Sequence, residues 1–345
     1  MSQRRLAALT LATLSAFFWA CADSESNGST SARKESRAKV APPAPLATAD
    51  AYAAAELVKL PATPAEEKPG LHNVYTLSSN VISGSEPHGE EALRELAARG
   101  VKTIVSVDGK EPDAATASRL GMRYVHIPIQ YRGLQHDELL ALAKTFRELE
   151  GPFYVHCFHG KHRGPTGAAV ARFVLDGASR QEVLAEMRQW CGTSVKYKGL
   201  YESVANLDMP TEVESETFDF DFPAAHPLGG LRESMITIPR AFDAVGDLGK
   251  NRFAPDPHQP DLDAANEAEI LVQTFGRLDD QARTTDAPED WQGWMKASLR
   301  ESTTLRDRLL VVRAKGDAMA IDEALAAHDR LNKVCVACHA SYRDK

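Results

Sequence analysis

The 345-residue chain has no basic excess: its 40 Lys and Arg stand against 48 Asp and Glu, a net charge of -8. A nucleic-acid binder shows a basic face, and nothing here interleaves basic with aromatic residues. No nucleic acid is therefore expected as a partner, and small or phosphorylated molecules are. Long apolar runs are also missing. Leu6 to Ala20, behind Arg4 and Arg5, is almost uncharged but short for a membrane span, and it reads as an export signal. Cysteine is scarce, five in all, and each one has its own reading below. With 43% hydrophobic residues the protein has core material for about two domains plus extensions.

The first cysteine, Cys21, decides how the exported protein is held. Phe18-Trp19-Ala20-Cys21 resembles a bacterial lipoprotein processing site in its small residue before Cys but lacks the usual Leu, and Ala20-Cys21-Ala22 also fits ordinary signal-peptidase cleavage. The lipoprotein reading is the one adopted, with attachment through lipid chains and not a spanning helix. The expected location is the periplasm or cell envelope. Residues 1–21 are then the signal, and 22–68, rich in Ser, Ala, Pro, Lys and Glu, a flexible linker, with a helical turn or two around Ala53 to Leu60 as the alternative for its Ala-rich end.

From about Leu71 short β-rich runs alternate with helical ones. A hairpin is expected over His72 to Leu77 and Val81 to Ser83, with strands at Lys102 to Val107, Tyr124 to Ile129 and Phe153 to His156. Helices are expected at Glu90 to Ala98, Pro112 to Leu120, Asp137 to Leu149, Gly167 to Leu175, Arg180 to Trp190 and Lys196 to Leu207. This alternation predicts an α/β domain, a parallel sheet with flanking helices, over residues 69–210. Its site belongs at the carboxyl ends of the strands, where the loops after Val107, Ile129 and His156 converge.

One of those loops carries chemistry. Phe153 to Gly167, FYVHCFHGKHRGPTG, is an apolar run that ends in His-Cys and breaks into a Gly- and Lys/Arg-rich loop leading to a helix. Loop amides, a helix N-terminus and the Arg163 guanidinium can converge on one dianion. The same positive surroundings, His156 among them, favour Cys157 as a thiolate nucleophile. Arg163 can take two phosphate oxygens in a fork, which Lys does less well. Phe158, His159, Gly160, Lys161, His162 and Gly164 complete the candidate phosphate cradle. His159, Lys161 and His162 read either as contacts for a highly anionic substrate or as solvated loop residues.

The segment resembles the HC-x5-R signature of cysteine-based protein tyrosine and dual-specificity phosphatases, and its GKHR core is most similar to the atypical fungal and plant branch. The resemblance implies attack on phosphorus by Cys157, a phosphocysteine and its hydrolysis by water. The family places Ser or Thr directly after the arginine, where its hydroxyl helps the thiolate leave, whereas Gly164 and Pro165 stand here before Thr166. The general acid implied by the resemblance is Asp137, near where that branch keeps an acidic residue; Asp108 is the alternative. Either also reads as local structure, Asp137 as a helix N-cap and Asp108 as Asp-Gly turn chemistry. The main dual-specificity pattern would put an Asp at Gln130 or Tyr131, and this sequence has none there. Cys191 reads as a small buried residue, or else as a thiol able to protect Cys157 as a disulfide.

Residues 211–226 are acidic, contain Pro, lack a period and form the expected boundary. Four helical patterns follow over 227–345. One holds Leu228, Leu231, Met235, Ile238, Phe242 and Val245, with a Pro239 kink; the next holds Ala264, Ala268, Leu271, Phe275 and Leu278. The third runs from Trp291 to Val312 and the last from Ile321 to Tyr342, which together predict an all-α four-helix bundle. The last contains Cys335-Val-Ala-Cys338-His339. In an exported protein the motif C-x-x-C-H points to covalent haem c, while a zinc site would need further ligands that are not evident. This half resembles the cytochrome c′ family, which implies thioether attachment at Cys335 and Cys338, His339 as the proximal iron ligand and, as in one branch, Met235 as a second. Met235 otherwise reads as a core methionine.

Together the halves read as an exported, haem-bearing cysteine-dependent phosphatase. It would act on a phosphorylated protein or small phosphomonoester, with the haem serving redox or gas-ligand sensing or electron transfer with a redox partner. The alternatives are a catalytically weak anion sensor and an electron-transfer cytochrome with a docking module. A homodimer is an expected assembly of the haem half.

Overall fold

The structure, a computed structural model, describes residues 40–342 other than 47, 227–229 and 258–261. The export signal and Cys21 lie outside the described residues, as does Leu228. A short helix α1 (Ala51–Ala54) and strand β1 (Glu66–Lys68) precede β2 (Leu71–Thr76) and β3 (Val81–Ser85). There follow α2 (Gly89–Ala98), β4 (Thr103–Ser106), α3 (Ala114–Arg119), β5 (Arg123–His126), α4 (His136–Glu148), β6 (Phe153–Cys157) and α5 (Arg163–Asp176). Then come α6 (Arg180–Ala185), which runs on as a π turn to Trp190, α7 (Lys198–Asn206) and α8 (Glu212–Thr217).

The six strands run in the order β1-β2-β3-β6-β4-β5. β3, β6, β4 and β5 are parallel, as the alternation predicts, and β1 and β2 add an antiparallel edge. β6 is central and buried along its whole length. Its residues alternate across the sheet. Phe153, Val155 and Cys157 face a core with Leu142, Phe146 and Val170 of α4 and α5. Tyr154 faces the other core, with Leu93 and Leu96 of α2. Full burial of one such apolar group contributes about 1.5–3 kcal/mol. A strand covered on both faces reads as a nearly continuous apolar run, which FYVHC does apart from His156.

Two expected boundaries move. The linker expected over 22–68 is folded in its last part: Asp50 caps α1 by accepting from the Tyr52 and Ala53 N–H groups, and Ala51, Ala54 and Ala55 are buried in the main core. The boundary expected over 211–226 holds α8, whose capping box of Thr211 and Glu214 satisfies the first-turn N–H groups without needing an apolar period.

The carboxyl-terminal part consists of α9 (Gly230–Lys250, Pro239 inside it), α10 (Ala264–Thr284), α11 (Glu289–Lys315) and α12 (Ala318–Tyr342). Consecutive helices pack together and α9 also touches α12. The expected stripe residues Val245, Leu271, Phe275, Leu305 and Leu331 meet in one core. Among the described residues no helix is long and apolar enough to cross a membrane. Residues 40–345 cluster as one compact unit, in which α10 lies against the loop that follows β4.

Candidate active site and a second, carboxyl-terminal cavity

The Cys-Arg loop runs from the end of β6 to the start of α5. Its carbonyls are tied outward. Phe158 O accepts from the Glu86 N–H at 3.1 Å, Gly160 O from Asn73 Nδ2 at 3.0 Å, and Lys161 O from Thr193 Oγ1 at 2.6 Å. In a planar trans peptide the N–H points opposite to the C=O. The His159, Lys161 and His162 N–H groups are therefore turned to the loop's other side, as an anion cradle requires. Gly160 makes this winding possible: at φ +74° it presses on β3, where a Cβ would come 2.3 Å from the Gly84 carbonyl carbon.

Cys157 is fully buried at the strand end, and Arg163, also buried, opens α5. The guanidinium is held on two sides. Its Nη2 donates to Asp108 Oδ2 at 2.5 Å, and it stacks 4.5 Å from the Tyr131 ring centroid. Tyr197 stacks on Tyr131 at 4.5 Å, and the buried His162 ring meets Tyr197 edge-on at 4.6 Å. Asp108 Oδ2 also accepts from the Phe158 N–H at 3.1 Å. Of the other residues expected in the cradle, Lys161 is exposed and His159 half-buried, while Phe158 is buried with Lys110 and Arg313 each within about 6 Å of its ring centroid.

Two expectations change. In place of adding positive charge and touching substrate, His156 is turned by β6 into the opposite core, where Nε2 pairs with the Tyr124 hydroxyl at 2.6 Å. Burial, outweighing the attraction of Asp108, pushes its pKa down to about 3, so it is neutral. Asp137 stands exposed in the first turn of α4, whose N-cap is Gln135, so Asp137 is not the helix cap. Of the two candidate carboxylates, Asp108 is the one bonded to the loop. Cys191 is buried in the same core as Cys157, and burial raises its thiol pKa.

Sequence reasoning missed Asn73, Tyr131 and Tyr197. Asn73 holds its place at φ +52°, a left-handed conformation that asparagine tolerates better than most residues, but no pattern in the sequence marks it.

Residues 75–203 match the family model of the Swiss Army Knife DSP-PTPase phosphatase domain. The stretch from β2 to α7 is thus similar to a phosphatase domain of dual-specificity type. The dual specificity protein phosphatase TpbA of Pseudomonas aeruginosa strain UCBPP-PA14 is 30% identical over 119 residues, 34% of this chain and 54% of that protein. The chain spans about half the length of the curated relatives it matches. A crystal structure of P. aeruginosa TpbA is 27% identical, covers 43% of this chain and 92% of its own, and superposes with a TM-score of 0.37. A Cys-to-Ser variant of TpbA in complex with phosphotyrosine is 25% identical, covers 44% and 94%, and gives a TM-score of 0.37.

The carboxyl-terminal helices enclose a second site, a largely apolar cavity of about 910 Å³. Cys335, Cys338, His339 and Met235 all line it, together with Phe275, Trp291 and Met295. Cys335 and Cys338 are free thiols one helical turn apart, and burial pushes the Cys335 pKa up to about 11. Among the described residues no three His, Cys, Asp or Glu form a metal cluster, so a bare ion would lack ligands here. A porphyrin brings four nitrogens of its own. Two thiols, one imidazole and an apolar wall form a donor set that fits such a group.

Proposed function

We propose that this protein is an exported cysteine-dependent phosphatase whose carboxyl-terminal bundle carries haem c. The observation that carries the first half is the single loop in which Cys157 stands at a strand end, outward-tied carbonyls turn amides the other way, and a buried Arg163 waits at the helix start. In the reaction Cys157 Sγ attacks phosphorus and the ester oxygen leaves as the alcohol after taking a proton. Water then displaces the thiolate from the phosphocysteine and releases phosphate. The loop amides and Arg163 stabilise the equatorial oxygens in both steps. Asp108 fixes Arg163. Asp137 is assigned as the acid that protonates the leaving oxygen and the base that activates water, with Asp108 the alternative. The substrate is a phosphorylated protein or a small phosphomonoester, and phosphotyrosine, as in the complex of the TpbA variant, is one of the dianions this loop suits.

In the second half Cys335 and Cys338 would hold the porphyrin by thioether bonds and His339 would ligate iron, with Met235 on the same cavity wall. When bound, the haem supplies a one-electron couple and a site for a small gas ligand. The apolar wall of Phe275, Trp291 and Met295 would shield such a group from water. Covalent attachment of haem through C-x-x-C-H agrees with an export segment at Arg4 to Ala20, and the protein is assigned to the periplasm or cell envelope, lipid-anchored at Cys21.

The test is phosphate release from p-nitrophenyl phosphate and from an inositol polyphosphate under reducing conditions, using haem-loaded protein beside Cys157→Ser. Release is expected from the first and at least about a hundredfold less from the second. A second reading, an anion sensor, is favoured by Gly164, which brings no hydroxyl to help the thiolate leave. Tungstate binding without Cys157-dependent release would select it. Absorbance of the purified protein that disappears in Cys335→Ala/Cys338→Ala tests the haem independently.

A further inference from the structure

We propose that Asn266, in the first turn of α10, is a positioning residue of the phosphoryl site and acts on Arg163 through Asp108. The proposal rests on the phosphatase reading only for what Arg163 does once it is positioned. An arginine that receives a dianion stabilises it most when its fork is already oriented, because no reorganisation is then needed. Asp108 supplies that orientation with Oδ2, which takes both the Arg163 Nη2 and the Phe158 N–H. A carboxylate can still turn about its own two bonds, so its second oxygen must be fixed too. Oδ1 accepts from the Lys110 N–H at 3.0 Å and faces Asn266 Nδ2 at 3.5 Å, a contact that reaches across 158 residues of sequence.

Asn266 is itself held in place. It is 4% exposed, and its N–H donates to Asp263 Oδ1, the N-cap of α10, at 2.8 Å. Its Oδ1 has no hydrogen-bond partner among the described residues, a costly state for a buried carboxamide. An aliphatic side chain would fill the position without that cost, so what the carboxamide gains here is its N–H toward Asp108.

The surrounding contacts press α10 onto the same loop. The Glu111 N–H donates to Gln273 Oε1 at 2.8 Å, and Arg277 pairs with the Glu111 carboxylate. Ile270 lies so close to Gly109 that a Cβ there would meet its Cδ1 at 3.2 Å. From α11, Arg313 sits 5.8 Å from the ring of Phe158, the residue after Cys157. The carboxyl-terminal bundle is thereby part of the phosphoryl site's framework.

The experiment titrates the full haem-loaded protein with tungstate, an oxyanion that needs no turnover, and measures kcat and KM with p-nitrophenyl phosphate. Asn266→Leu is expected to weaken tungstate binding roughly tenfold and to lower kcat/KM to a similar extent, with kcat falling as well as KM rising. Arg277→Met, which breaks only the ion pair with Glu111 at the same interface, is expected to stay within about twofold on both readouts. In an Asp108→Ala background, Asn266→Leu should add nothing, because the route to Arg163 is already cut. Unchanged tungstate affinity in Asn266→Leu, an additive effect on Asp108→Ala, or equal weakening by Arg277→Met would each overturn the proposal. If Leu at 266 removes the thermal unfolding transition, Asn266→Ser takes its place with the same expectations. Absence of Cys157-dependent phosphate release, with the tungstate pattern intact, would sink the catalytic reading and leave the positioning role of Asn266 standing.

Discussion

At position 164 the cradle is tight for the side chain that the phosphatase resemblance leads one to expect. A Cβ on Gly164 would stand 3.0 Å from the Cys157 nitrogen and 3.3 Å from the His156 carbonyl carbon, both backbone atoms, so the loop would have to give by a few tenths of an ångström. Thr166 cannot substitute, because its hydroxyl donates to His162 O at 3.1 Å within α5. Gly164→Ser is therefore expected to cost about 1–3 kcal/mol of stability and to leave kcat no higher than in the parent. A higher kcat at unchanged thermal midpoint would show that the loop yields. Two buried histidines near the site set a pH dependence. Burial pushes His156 down to about 3 and His126 to about 4, against an ordinary value of 6.5. Between pH 6.5 and 4 the unfolded state binds these protons and the folded one does not, so stability falls as pH falls through that window. Near pH 5 the two together contribute a slope of roughly 2–3 kcal/mol per pH unit. Denaturant midpoints measured from pH 7 to 4.5 test this, and His126→Gln should remove about half of the slope.

Arg180 shows how an element can be fastened by one buried side chain. Its guanidinium donates to Val204 O, Ala205 O and Leu207 O at the end of α7, and to Ala44 O in the segment before α1. Gln189, Arg188 and Trp190 add bonds to the Ala55, Tyr52 and Pro61 carbonyls, so the π turn straps down residues 52–61. Arg180→Met keeps the apolar stem and strands four carbonyls, and is expected to destabilise by about 3 kcal/mol. A loss below about 1 kcal/mol in chemical denaturation would mean that water replaces the donors. The strap was not legible in the sequence because Ala51, Ala54 and Ala55 bury little surface each and set no period, while their anchors lie more than a hundred residues away. The strands and helices from β2 to α7 were legible, since each is buried on a face that its own pattern declares. At the site, Cys157 and Arg163 share one loop and could be read together. Asp108, Tyr131, Tyr197 and Asn266 come from four separate segments, and only the topology of the sheet and bundle brings them to Arg163 or its partner.

On the scale of the molecule, the same long-range contacts decide whether the two halves unfold separately. A phosphatase domain and a helical bundle joined by a linker alone would melt as two units. Here the loop after β4 is shared. His126 accepts from the His226 N–H at 2.9 Å and donates to Asp108 O at 2.8 Å, and Asn266, Ile270, Gln273 and Arg277 of α10 lie along residues 108–111. The ion pair of Arg277 with Glu111 is about one third exposed on each side and adds little by itself, about 0–1 kcal/mol. The buried contacts of Ile270 and Asn266 carry the docking, so a wedge between them should uncouple the halves. Calorimetry of the full protein is expected to show one transition, and Gly109→Leu, whose side chain crowds Ile270 of α10, is expected to split it into two. Tryptophan fluorescence from Trp291 and Trp294 of α11 should follow one of the two transitions and near-ultraviolet dichroism from Tyr131 and Tyr197 the other. A single transition in Gly109→Leu with an unchanged midpoint would mean that α10 gives way without losing its hold on the loop, and the coupling would then have to run through the His126 and His226 contact instead.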